Sequence, residues 1–333
     1  MSRRLTSLRA CICFAIVGLT TILGNPPAGI AQETSEKSKQ TSGPWSIEPQ
    51  AGRLILKHQG NALTIFHYQD EQCLRPFFSH VHTPTGKQVT RNHPPNPGLD
   101  PDDHANMHCG IWLGFGDING QDFWRNKARI RHRRFLSDPS VESDRIAFDS
   151  EDELIDSQGK SIGSVVQTYR LNRIDSGCLL VWQAIFTAGS EALSFGDQEE
   201  MGLGVRVATS MTEKNSGRIL SNNGKTGAKE TWGKKAQWVD YSKTVDGKRI
   251  GILLMPDTKN PQASWFHNRD YGLMVANCFG NKSFTGGEPS VIRIEANRSM
   301  TIRYGVYWYD TRPEDPLPIE KIRSAIDARQ EAR

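Results

Sequence analysis

The chain has 333 residues, with 41 basic and 37 acidic side chains, 37% hydrophobic and 8% aromatic content. A charge balance this even does not call for nucleic acid, and no apolar run reaches the length of a comfortable membrane span. The length exceeds an average domain but is ordinary for one large all-β domain.

The N-terminus has three parts: basic Met1–Arg9, apolar Ala10–Leu23, then small residues at Gly29-Ile30-Ala31. This layout predicts a secretory signal peptide over residues 1–31, and hence an exported, periplasmic or extracellular protein. Its removal takes away three arginines and no acid, which leaves the remainder near neutrality. Residues 32–44 read as a polar linker, and residues 45–333 as a single β-sandwich domain. Cys73, Cys109, Cys178 and Cys278 lie in that domain. Export permits disulfides, the wide spacing fits no zinc pattern, and buried free thiols are the other reading.

Short strand-like runs follow the linker. Arg53–Lys57 and Ala62–Tyr68 flank a Gln59-Gly60-Asn61 turn, and Pro76–His82 precedes a Pro/Gly turn. Residues 92–103 carry four prolines and a glycine and read as a long loop, a type often functional. Ile111–Phe115 reads as a buried strand. The series continues through Ala128–Phe135, Arg145–Asp149, Ile162–Leu171, Leu179–Thr187, Leu203–Thr209, Ala236–Tyr241, Arg249–Met255, Tyr271–Ala276, Val291–Glu295 and Met300–Trp308. Asp175-Ser176-Gly177, Asn222-Asn223-Gly224 and Asp246-Gly247 supply turns. The expectation is an all-β, large antiparallel sandwich closed by a C-terminal helix over 317–332, with Ile319, Ile322 and Ile326 on one face.

Chemistry concentrates in Arg75–Trp124, which holds five of the nine histidines. His104 and His108 have the i, i+4 spacing that puts two imidazoles on one helical face, as in metal sites. The glutamate of a zinc-protease helix is missing, since Ala105 stands there. Asp103 is placed to orient an imidazole, and Asp102 reads as a turn cap. Residues 117–124 form a tight loop that sets Trp124, a flat apolar platform suited to a sugar face. Two later clusters add candidates. Asp197, Glu199 and Glu200 precede a strand containing Arg206; Asp197 and Glu199 read as a solvated turn, and Glu200 as a general base. Trp265 to Gly272 gathers Trp265, His267, Arg269 and Asp270, with His267 and Arg269 on one face of an extended segment. There is no phosphate-binding loop, dinucleotide fingerprint or nucleophile elbow.

Over residues 50–312 the chain resembles a bacterial family known as PmoA-like, or domain of unknown function 6807. The resemblance is carried by Arg75-Pro76-Phe77-Phe78 with His80, and by Asp103-His104 through His108 to Gly110-Ile111-Trp112. It extends through Asp117-Ile118-Asn119-Gly120 to Trp124, Trp238-Val239-Asp240-Tyr241, Trp265 to Gly272, and Asn277-Cys278-Phe279-Gly280. Met107 stands where many relatives have a first histidine of a His-His pair, and Cys278 where they have proline. The family label invokes methane oxygenation, whose membrane subunit needs several apolar spans that this sequence lacks. The resemblance implies a sandwich similar to the galactose-mutarotase-like supersandwich.

The lead expectation is acid–base chemistry on a sugar or oligosaccharide: epimerisation, elimination or glycoside cleavage. His108 or His104 acts as acid and Glu200 or Asp240 as base, with His267 a further candidate. Arg75, Arg206 and Arg269 bind hydroxyls or a carboxylate, Trp124 or Trp265 stacks, and His80 and Asp270 complete the binding set. A non-catalytic glycan-binding module and a metal enzyme using His104, His108 and His267 are the alternatives. The ligand class is carbohydrate or another small molecule, the cofactor is left open, and no stable membrane span remains after residue 31.

Overall fold

The computed structural model describes residues 43–328. The expected signal peptide, almost all of the expected polar linker and the last residues of the expected C-terminal helix lie outside them. No helix among the described residues is long and apolar enough to cross a membrane.

Two large antiparallel sheets face each other. The front sheet runs, edge to edge, through Trp45–Gln50, Arg53–His58, Asn61–His67, Phe77–Ser79, Ile111–Phe115, Met201–Arg206, Leu273–Asn277, Trp265–Asn268 and Lys234–Lys235. The back sheet runs through Arg218–Ser221, Val239–Val245, Lys248–Pro256, Ser299–Thr311, Gly177–Ala188, Ser161–Ile174, Arg145–Ile155 and Arg129–Phe135, with Ser140–Glu142 beside Arg145–Ile155. Alternation along each strand sends every second side chain to the interior. Phe66 and Phe78 of the front sheet thus meet Phe148, Tyr169 and Trp182 of the back sheet at ring separations of 4.8–5.6 Å. Phe115 meets Phe186 at 5.2 Å.

The C-terminal helix is Ile319–Asp327. Ile322 and Ile326 are buried against Leu179, Val181, Leu253 and Tyr307 on the outer face of the back sheet. Full burial of each isoleucine contributes about 1.5–3 kcal/mol. The helix therefore covers the part of that face formed by these strands. The outer face of the front sheet instead carries a second cluster, in which Phe77, Trp112, Leu273 and Val275 lie under Cys73, Cys109 and Trp124 from the connecting loops. Cys73, Cys109, Cys178 and Cys278 are free and buried.

Candidate functional site

The strand register lays a row across the front sheet's outer face: His67, Phe77, Trp112, Gly204, Val275 and His267. Neighbouring strands lie about 4.8 Å apart, so Trp112 and His267 are roughly 14 Å apart along it. Gly204 leaves room for the Trp112 indole, since a Cβ there would sit 2.5 Å from its ring. The chain enters this strand through Gly110, at φ +128°, where a side chain would collide with the Phe78 carbonyl.

Loops reach over this face because two buried arginines hold them. Arg75 donates to the carbonyls of Phe123 (3.0 Å), Trp124 (2.9 Å) and Met107, and to Asn126 Oδ1 (3.2 Å). Arg91 donates to the carbonyls of Pro101 (3.0 Å), Asp103 (2.7 Å) and His108 (3.1 Å). A guanidinium occupied by carbonyls is a scaffold part, which corrects the substrate-binding role expected of Arg75. Trp124 is only 1% exposed, packed edge-on to Trp112 at 5.3 Å, and has no open face for a sugar. Trp265 is 2% exposed and capped by the Lys235 ammonium at 4.2 Å, so it too is removed from the stacking role.

What the loops present is an anchored imidazole. Arg206 grips Asp103 with two hydrogen bonds of 2.8 Å. Asp103 Oδ2 lies 3.0 Å from His104 Nδ1. His104 Nε2 has no partner among the described residues, and the side chain is 44% exposed. Partial burial raises the Asp103 carboxyl, but the Arg206 bonds, His104 and the Arg91 charge outweigh it and hold the group well below the usual carboxylate range. A permanently ionised Asp103 favours the tautomer with a proton on Nδ1 and leaves Nε2 free to exchange one. His104 also sits at φ +53°, a left-handed backbone rare for residues with a Cβ and concentrated at functional sites.

His108, one of the two histidines expected as the acid, is 3% exposed and stacked between His104 (4.7 Å) and Trp112 (5.1 Å). Burial, and then the Arg206 charge, push its imidazole well below its ordinary pKa. His108 is a neutral spacer under the His104 ring. The two rings are nearly parallel, so their in-plane lone pairs do not converge on one ion, and His267 lies three strands off. The three-histidine metal arrangement does not fit this geometry.

Tyr271 was not singled out in the sequence. Its ring covers the Arg206 guanidinium at 4.6 Å and stacks with His104 at 6.1 Å. Burial raises its phenol above the ordinary value while Arg206 and Arg269 pull the other way, so it is a neutral hydroxyl at neutral pH. No hydrogen-bond partner meets that hydroxyl among the described residues.

Farther along the face, Glu200 pairs with Arg125 at 2.6 Å, and Arg125 also meets Asp122 at 3.2 Å. Glu200 is six residues from Arg206, roughly 20 Å along an extended strand, and so lies at the other end of the face from His104. Glu199, expected to be a solvated turn residue, is half-buried and pairs with Arg269 at 3.1 Å. His267 is buried beside it: its Nδ1 meets the Glu199 carbonyl at 3.3 Å and its Nε2 has no hydrogen-bond partner. Burial and the Arg269 charge lower His267 to about 4, so it is neutral and remote from His104. Asp197, expected to be a solvated turn residue, instead caps the Asn281–Thr285 helix through the amides of Lys282 (2.8 Å) and Ser283 (2.9 Å).

Four further expected positions remain. Asp240 is on the back sheet's outer face, accepting from the Tyr309 hydroxyl at 2.9 Å, with both sheets between it and His104. This removes it as a base. His80 joins Ser79 (2.9 Å), which in turn meets His67 (2.8 Å), and shares no contact with Asp103, His104 or Arg206. Arg206 is buried with its guanidinium on Asp103, so it positions the dyad and does not bind hydroxyls. Asp270 is exposed and lies 3.8 Å from Lys214.

Fold and face together define an antiparallel β-sandwich protein, with a helix over part of one outer face and loops that present titratable groups on the other. A profile of a family of unknown function, DUF6807, matches residues 53–322, and the chain belongs to that family. No curated protein matches the chain. Among solved structures it is similar to a β-arabinopyranosidase, at 12% identity and TM-score 0.43, over 74% of this chain and 39% of that one. It thus spans about two-fifths of that enzyme's length. It is also similar to a galactose mutarotase-like protein from Clostridium acetobutylicum (9% identity, TM-score 0.37, 80% of this chain and 94% of that one). A galactose 1-epimerase from Lactobacillus acidophilus is similar at 8% identity and TM-score 0.34, over 80% and 98%.

Proposed function

We propose that the protein is an acid–base enzyme acting on a sugar, with His104 Nε2 as the atom that takes or gives the proton. The observation that carries this reading is the Arg206–Asp103–His104 relay: a doubly held carboxylate fixes Nδ1, and Nε2 is left free on an open face. Tyr271 supplies a neutral hydroxyl beside the imidazole, suited to donate a hydrogen bond to an oxygen that gains charge. Arg269, Arg125, Glu199 and Glu200 line the rest of the face with mixed donors and acceptors, which suits the alternating hydroxyls of a sugar. Both glutamates are held by guanidinium groups, so the chemistry favoured is proton transfer by imidazole, as in epimerisation or elimination, over a two-carboxylate glycoside cleavage.

The test is a panel of sugars incubated with the protein in D₂O and followed by proton NMR, which reads epimerisation, elimination, cleavage and anomer exchange together. His104→Gln is expected to lower the rate by about 10²–10⁴-fold, the usual contribution of one general acid–base group. An unchanged rate in His104→Gln would overturn the assignment. Sugar binding without turnover in the native chain would favour a glycan-binding module.

A further inference from the structure

Two of the four described cysteines touch each other. Cys73 and Cys109 stand 36 positions apart in the chain, yet both are 1% exposed in the apolar cluster beneath the front-sheet loops. Their side chains are hydrogen-bonded to each other. Cys178 and Cys278 have other partners: Cys178 Sγ accepts from Arg173 at 3.9 Å, and Cys278 is bonded to Tyr304. Burial pushes both of those thiols up to about 12, as suits inert packing.

The segments that carry Cys73 and Cys109 are pinned to one another on either side of the contact. The Asn126 amide donates to the carbonyls of Gln72 (2.9 Å) and Asn106 (2.7 Å), and its oxygen accepts from the Leu74 N–H at 3.1 Å. Arg75 donates to the Met107 carbonyl. The Cys73 N–H is itself held by Asp70 Oδ1 at 2.8 Å, and Cys109 is followed by Gly110, which lies too close to the Phe78 carbonyl to carry a Cβ. The approach of the two thiols is therefore built into anchored backbone. The pair is also chemically unequal. Burial raises the Cys73 thiol, but the bond from Cys109 and then the Arg75 charge outweigh it and lower it, whereas burial and the Cys73 partner hold Cys109 well above its ordinary value. A more acidic thiol beside a less acidic one suits attack by the first and resolution by the second.

We infer that Cys73 and Cys109 form a disulfide when the chain folds in the presence of an oxidising disulfide, and that this bond ties the segment ahead of Arg75 to the loop that carries His104. With oxidised glutathione, the Cys73 thiolate attacks one of its sulfurs and releases one glutathione thiol. The Cys109 thiolate then attacks Cys73 Sγ in the mixed disulfide and releases the second. The two cysteines give up two protons and two electrons, and one oxidised glutathione leaves as two thiols. Export, as expected from residues 1–31, leads to compartments where such oxidants are found. The inference stands on the cysteine contact and is independent of the proton-transfer reading.

The experiment is cell-free synthesis of the full chain in an oxidising glutathione buffer with a disulfide isomerase, so that the test does not depend on export. The soluble, folded fraction is quenched with acid, alkylated in denaturant and mapped by mass spectrometry without reduction. The expected result is one cross-linked peptide joining Cys73 to Cys109, with Cys178 and Cys278 alkylated. Closing a loop of this length should raise the melting temperature by about 5–15 °C over the same protein melted with reductant. In Cys109→Ala the melting temperature should not respond to reductant. Four alkylated cysteines, a link from Cys73 or Cys109 to Cys178 or Cys278, or a native melting temperature indifferent to reductant would overturn the inference.

Discussion

At the residue scale, the site is a division of labour between side chains of the same type. Arg75 and Arg91 are buried on carbonyls and hold loops, Arg206 holds a carboxylate, and Arg269 and Arg125 remain on the open face. His108 is stacked and neutral, whereas His104, four residues earlier, keeps an open nitrogen. In the proposed reading Asp103 acts through His104 and is therefore a positioning residue. Asp103→Asn keeps the shape but loses the charge that fixes the imidazole tautomer. We expect kcat to fall by about 10²–10³-fold while KM moves less than threefold, measured well below the melting temperature of the variant. A proportional rise in KM with kcat intact would mean that Asp103 serves binding or loop structure only.

At the element scale, hairpins were legible where a turn signal separated two alternating runs. Ser161–Ile174 and Gly177–Ala188 meet at Asp175-Ser176-Gly177, and Val239–Val245 and Lys248–Pro256 at Asp246-Gly247. The strand Arg145–Ile155 is longer than its sequence suggests, because Ser150, Glu151, Asp152 and Glu153 look like a loop. Asp152 is nonetheless buried, paired with His132 at 2.9 Å and Gln167 at 2.7 Å, and such a polar interior has no hydropathy signature. The strands Trp45–Gln50, Trp265–Asn268 and Lys234–Lys235 were missed for a similar reason: their neighbours in the sheet, more than their own residues, make them strands. The strand carrying Asp240 gives a test of the covered part of the back sheet's outer face. Burial raises this carboxyl to about 6 against hydrogen bonds from Ser242 and Tyr309. A raised pKa means that the folded state holds the proton more tightly than the unfolded state. Its stabilising contribution is complete below about pH 4 and is lost as pH rises through 6. Asp240→Asn does not titrate, so its stability relative to the native chain should improve by about 2–3 kcal/mol between pH 4 and pH 7 and then level off. Denaturant melts of both proteins across that range measure it, and a difference independent of pH would refute the burial of an ionisable Asp240.

At the scale of the whole molecule, the two outer faces are covered by different means. The helix Ile319–Asp327 covers part of the back face, and the loops from Arg75 to Trp124 partly cover the front. That stretch stands out in the sequence because five histidines and many turn residues crowd into it. Which of its members face outward was not, because the sequence cannot show that Arg75 and Trp124 turn inward while Asp103 and His104 turn out. Tyr271 and Glu199 come from segments far along the chain and join the face only through the pairing of Ile111–Phe115, Met201–Arg206 and Leu273–Asn277. The most direct measurement is a crystal structure of the protein with a bound oligosaccharide. The expected result is a sugar on the front sheet's outer face, with one of its oxygens or C–H carbons within about 3.5 Å of His104 Nε2. A sugar seated elsewhere, or lying on this face with His104 Nε2 turned away from it, would contradict the assignment.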